Sequence, residues 1–132
     1  MLQHDYLLEI IGRFVESVSV ALVSVFRDRE FGRVEEAESA VAELLDLDAS
    51  TAMSLAPQSL VTMMSLSGVG ESVAGYAAYV LQRVSLAYEL EGKPNVARVR
   101  HEQAQAIADA FNAGLEQVPE EFLSLERQII NR

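Results

Sequence analysis

The tetrapeptide Glu91-Gly92-Lys93-Pro94 constrains this chain more than any other stretch. Glycine accepts the left-handed conformation that stops a helix. Proline two residues on cannot extend that helix but suits the opening turn of the next. Before the bend, Tyr76, Ala77, Val80, Leu81, Val84, Ala87 and Tyr88 recur at helical spacing, and Tyr79, Leu86 and Leu90 widen the stripe. A helix apolar over so much of its circumference is expected to lie centrally, contacted on several sides. After the bend, Ala97, Ala104, Ile107, Ala108, Phe111 and Leu115 share one face, and the small alanines let two axes approach closely. The prediction is a tight antiparallel hairpin over residues 71–117.

The remaining segments read as elements packed beside that hairpin. Residues 5–27 predict a long helix whose main face is Tyr6, Leu7, Ile10, Ile11, Phe14, Val18, Ala21, Leu22 and Val25, with Leu8, Val15 and Phe26 as a second stripe. The valine-rich run at 17–25 also alternates with period two, but no second strand-like segment exists to pair with it. Asp28 to Gly32 breaks this helix. Residues 33–46 then predict an amphipathic helix with Val34, Ala37, Val41, Leu44 and Leu45 inward, which completes an N-terminal hairpin over 5–46. The connector, 47–70, is irregular: Asp48 or Ser50 can cap a short turn, and Pro57 can open a short helix carrying Leu60, Val61, Met63, Met64 and Leu66. Pro119 starts a closing helix over 119–131, with Glu120 and Glu121 in its favourable first turn and Phe122, Leu125, Ile129 and Ile130 as its stripe.

Length and charge bound the rest. With 132 residues the chain is long enough for one domain with a single core. It has no cysteine, which removes disulfides, thiolate nucleophiles and Cys-based metal sites. Its formal net charge is −10, and a surface that acidic repels phosphate backbones and anionic membranes, so neither nucleic acid nor membrane is expected as a partner. The longest uncharged run in the N-terminal helix, 17–26, falls well short of the roughly 20 residues a spanning helix needs. Asp5 and Glu9 precede it and no small-residue cleavage site follows, which argues against a signal peptide. The expectation is a soluble, cytoplasmic protein.

The central hairpin resembles a tetratricopeptide repeat. Leu81, Val84, Ser85 and Tyr88 fall at the first four positions of that family's pattern, Gly92 in the turn, Ala97 at the closing alanine and Ala104 at the next small position. His101 stands where the family prefers Phe, and Asp109 where a closing Pro is usual. Other pieces resemble a family of uncharacterised bacterial proteins known only as a domain of unknown function. These are Met1-x-x-x-Asp5-Tyr6-Leu7-Leu8-x-x-Ile11, Gly32-x-x-Glu35-Glu36-Ala37, Leu44-Leu45-x-Leu47-Asp48 and the stretch Leu60 to Met64. The two resemblances imply a helical, repeat-like fold; the second brings no activity and no functional residues.

Several short motifs dissolve on inspection. Asp46-Leu47-Asp48 is similar to a phosphotransferase nucleophile loop or the start of a calcium loop. The sixth and twelfth positions, however, are Thr51 and Pro57 rather than Gly and Glu, so a helix end plus a cap is the better reading. Gly68-Val69-Gly70 lacks the Gly-Lys-Ser/Thr of a phosphate loop and reads as a joint before a helix capped near Ser72. Neither histidine, His4 or His101, has an acid three residues before it, as a bundle metal site would want, and His101 is expected half-buried at the core edge. No metal, cofactor or catalytic residue is assigned. The tetratricopeptide resemblance implies one charge feature, a small anion or peptide-carboxylate clamp made by Lys93, Arg98 and Arg100.

The reading is an all-α single domain of five to seven helices, an irregular bundle or short solenoid. The expected function is a non-catalytic protein–protein interaction or assembly module, homodimeric through the N-terminal helix, whose apolar circumference exceeds what one neighbour can cover. The alternative is a small-molecule binder or unrecognised enzyme with an internal apolar cavity lined by Met53, Met63, Met64 and Tyr79.

Overall fold

Seven α-helices follow one another in the computed structural model, which describes residues 2–68 and 70–130, and the side chains of 6–68 and 70–129. They are α1 (Leu2–Asp28), α2 (Val34–Leu44), α3 (Ala49–Ser54), α4 (Pro57–Ser67), α5 (Gly70–Glu91), α6 (Pro94–Ala110) and α7 (Leu123–Ile130). Single 3-10 turns at Phe31–Arg33 and Glu120–Phe122 lead into α2 and α7. No strand occurs among the described residues, so residues 17–25 are helical and the fold is an all-α bundle. Helical periodicity overrides the strand preference of valine there because Val18, Ala21, Leu22 and Val25 all reach the core as a helix and all are fully buried.

α5 is the central element, touching α1, α2, α4 and α6. It buries twelve residues, among them Val73, Ala77, Val80, Leu81 and Val84. Gly92 takes φ +88°, and Lys93 N–H donates to the Tyr88 carbonyl at 2.8 Å, which closes the bend. Further from the bend, Ser85 Oγ donates to the Ala97 carbonyl at 2.6 Å and His101 Nδ1 lies 2.7 Å from Gln82 Oε1. These rungs climb away from the turn in step, as antiparallel helices require. The buried Ala97 and Ala104 permit the close approach.

Several boundaries differ from expectation. α5 begins at Gly70 rather than near Ser72. A Cβ at Gly70 would stand 2.8 Å from the Met64 carbonyl oxygen and 2.9 Å from the Phe111 ring, so only glycine lets the helix start so close to α4. α6 stops at Ala110, with Asn112 at φ +59°, and Leu115 therefore lies in the following loop, half-buried, rather than on the helix. The last segment opens with a 3-10 turn before α7; Phe122, Leu125 and Ile129 are buried as expected, while the Ile130 side chain lies outside the described ones. Between α2 and α3 the helix-end reading holds. Asp46 adopts φ +61°, and Asp48 caps α3 by accepting from Thr51 N at 3.3 Å.

Two polar clusters bind the helices. In the first, Glu38 of α2 and Arg100 of α6 meet at 2.7 Å in the core, at 6 % and 8 % exposure. Arg100 also donates to the Met53 carbonyl at 2.9 Å and to Gln103 Oε1 at 3.1 Å, Tyr88 OH donates to Glu38, and Gln103 Nε2 donates to the Leu55 carbonyl at 3.0 Å. In the second, Glu126 of α7 accepts two hydrogen bonds from Arg83, at 2.9 and 2.8 Å, and one from Tyr79 OH. The Tyr79 ring stacks on Phe122 with centroids 4.7 Å apart, and Phe14 of α1 meets Phe122 edge-on.

Candidate interaction groove

A length mismatch leaves an apolar surface open. α1 has 27 residues and α2 has 11, so at 1.5 Å per residue they run about 40 and about 16 Å. α2 folds back from the C-terminal end of α1 and stops short of its first turns. Tyr6 and Leu8, both expected to pack, are instead 61 % and 55 % exposed, and Leu7 and Ile10 are only half-buried. Where α2 ends, a hollow of about 660 Å³ opens between the two helices. Its floor is Leu7, Ile10, Phe14 and Leu44, and its rim includes Arg13, Glu43 and Asp46. A shallower depression continues along α2 past Ser39 to Glu35 and Glu36.

The electrostatics of this groove are one-sided. Glu35, Glu43 and Asp46 form no ion pair among the described residues, whereas Glu36 is held by Arg33 at 2.9 Å. That pairing keeps the Glu36 carboxyl below its ordinary range. On α1, Arg13 is flanked at helical spacing by the exposed Glu9 and Glu16. The result is a greasy trough with a mostly anionic border.

The residues expected to form an anion clamp do not converge. Arg100 turns inward and is consumed by Glu38, Gln103 and the Met53 carbonyl. Arg98 stays exposed, 3.5 Å from Asn95 Oδ1, and Lys93 is exposed beside Glu91 at 3.3 Å. Arg100 belongs to the buried stripe of Ala97, Ala104 and Ile107, at helical spacing from each, so its direction was readable from periodicity. Glu38 lies between Val34 and Val41 in the same way, and its charge masks a burial that the same spacing implies.

The four residues expected to line an internal cavity also part company. Met63 is 42 % exposed, Met64 is buried, Tyr79 is occupied by Phe122, and Met53 is half-buried in α3. Met63 and Met64 are neighbours on a helix, about 100° apart, and α4 packs only one flank, so both cannot face inward. A separate polar hollow of about 590 Å³ lies beside the end of α6, lined by Gln82, Arg83, Gln105, Asp109 and Asn112 among others. His101, expected half-buried, is exposed on the α5/α6 edge; the His4 side chain lies outside the described ones. Among the described residues no three His, Asp or Glu side chains stand close enough to share a metal ion, and no helix is long and apolar enough to cross a membrane.

Burial shapes the tyrosines at these contacts. Desolvation first, then the hydrogen bond to Glu121 at 2.8 Å, pushes the Tyr76 phenol up to about 12. Tyr79 and Tyr88 are likewise raised, by burial first and then by Glu126 and Glu38 respectively. Both therefore act as neutral donors to a carboxylate. No protein-family model, no curated protein and no solved structure matches this chain.

Proposed function

We propose that this protein is a non-catalytic interaction module that receives an amphipathic helix of a protein partner in the groove between α1 and α2. The observation that carries this is the apolar floor of Leu7, Ile10, Phe14 and Leu44, left open by the short α2 and bordered by Glu43 and Asp46. Helix-in-groove recognition takes apolar anchors at i, i+3, i+4 and i+7. The anionic border adds a preference for lysine or arginine along the partner's flanks. A small-molecule reading would have to use this groove or the polar hollow by Asp109 in place of the methionine cavity.

A homodimer through α1 keeps one supporting observation, the exposed Tyr6 and Leu8. Against it, the exposed side of α1 interleaves Glu9 and Glu16 with those residues, so two copies would bring carboxylates together.

The test is fluorescence anisotropy with two designed helical peptides that share leucine anchors, one flanked by lysine and one by glutamate. The expected result is binding of the basic peptide, weakened by salt and by Ile10→Glu by about tenfold or more. Equal binding of both peptides, or indifference to Ile10→Glu, would overturn the groove as the site.

A further inference from the structure

The apolar floor of the α1/α2 groove does not distinguish the two directions in which a helix can run along it. Anchors at i, i+3, i+4 and i+7 keep the same spacing when read backwards. The two lips of the groove do distinguish them, because they differ in charge. On α1, Arg13 immediately precedes Phe14 of the floor and lines the hollow. On α2, Glu43 stands in the same relation to Leu44, and Asp46 lies just past the helix end. Among the described residues Arg13 forms no ion pair with Glu43 or Asp46, nor with Glu9 or Glu16 of its own helix. At about 100° per residue, Arg13 lies about 60° to one side of Ile10, whereas Glu9 and Glu16 lie about 100° and about 120° to that same side, past the lip. Opposite charges thus border the hollow from its two walls without meeting.

We infer, on the reading that this groove is the partner site, that the bound helix runs in one preferred direction, set by a carboxylate on its flank beside Arg13 and by lysine or arginine on its flank beside Glu43 and Asp46. Turning a helix end for end over the same floor exchanges its flanks. A helix with one acidic and one basic flank therefore meets complementary charge in one direction and like charge on both sides in the other. Complementary charges fix register, and like charges set face to face act against the wrong arrangement. An exposed pair alone changes affinity by about fivefold at most, so the direction comes from three charged groups acting together. A partner with lysine on both flanks gains along α2 and loses at Arg13. Arg13 is thus the specificity-determining residue of the groove.

Disulfide trapping reads the direction. The chain has no cysteine, so Ser39→Cys and Tyr6→Cys, both at exposed positions, each place a single thiol at one end of the groove. Ser39 shares the shallow depression with Ser17, and Tyr6 to Ser17 spans about 16 Å of α1. The probes are leucine-anchored helical peptides with an N-terminal cysteine, glutamate on one flank and lysine on the other. One such peptide should couple to one of the two variants about fivefold faster than to the other, and the peptide with its flanks exchanged should show the opposite choice. Arg13→Glu, at an exposed position, should cut that preference to about twofold or less and make a peptide with lysine on both flanks the tighter binder by anisotropy. Arg13→Lys should keep the preference. Equal coupling to both ends, a choice that does not reverse with the flanks, or one undiminished by Arg13→Glu overturns the inference and leaves the groove as the site. Peptides that do not bind at all, or whose coupling is indifferent to Ile10→Glu, overturn the groove itself and the preferred direction with it.

Discussion

The two clusters that join the helices use the same chemistry in different surroundings. Each sets one arginine against one glutamate and adds a tyrosine hydroxyl. Glu38 and Arg100 are sealed between α2 and α6, with Gln103 and two backbone carbonyls completing their hydrogen bonds. Glu126 and Arg83 lie at the edge, with side chains 19 % and 15 % exposed, and fasten α7 onto α5. Water can replace a lost partner at the edge but not in the core. The inner cluster therefore fixes which helices are neighbours, whereas the outer one sets how firmly the last helix stays down.

That contrast makes a ranked set of expectations. Arg100→Ala leaves Glu38 charged and stranded, together with Gln103 Oε1 and the Met53 carbonyl, and should cost about 3–5 kcal/mol in urea unfolding. A loss under about 1 kcal/mol would mean that solvent reaches this cluster and would erase the distinction. Glu126→Gln keeps the shape but removes the charge that two Arg83 nitrogens address, and should cost about 1–2 kcal/mol after allowance for solvent. Amide exchange should quicken in α7 before it quickens in α5. Uniform quickening would show that α7 does not come away by itself.

The smallest effect is one of pH. The Tyr76 phenol is raised to about 12 in the folded chain, while the unfolded chain ionises near its ordinary 10.0. A group raised in this way contributes stability that is fully present below pH 10 and disappears as pH climbs through 12. Tyr79 and Tyr88 act in the same direction. The urea midpoint should thus fall from about pH 10 upward, and Tyr76→Phe should flatten the early part of that fall. A midpoint unchanged by alkali would remove the neutral-donor account of these tyrosines.

The helices were legible because periodicity is a property of one segment. The stripe of α2 and the stop at Gly92 appear as the spacing implies, and those of α5 and α6 do so except at their ends, where Leu90 is 49 % exposed and Leu115 falls in the loop beyond α6. What failed depended on neighbours. Tyr6 and Leu8 satisfy an apolar stripe, yet no partner extends far enough to cover them. Met63 and Met64 satisfy a count of methionines, yet α4 packs one flank only. Arg100 suits an exposed clamp by its charge and by the tetratricopeptide resemblance, yet its place between Ala97 and Ala104 puts it in the core. Glu38 and Arg100 stand 62 positions apart, and nothing local says that each is the other's reason for being buried.

By itself the sequence determined the all-α class, the central bend and most of the faces that turn inward, because backbone hydrogen bonding and the 3.6-residue repeat act over a single turn. The tertiary structure decided what those faces meet. It set the relative reach of α1 and α2, which leaves the groove open, and the fate of each charge. Both follow from which helices lie side by side, a choice made by packing across the whole chain rather than by any one stretch of it.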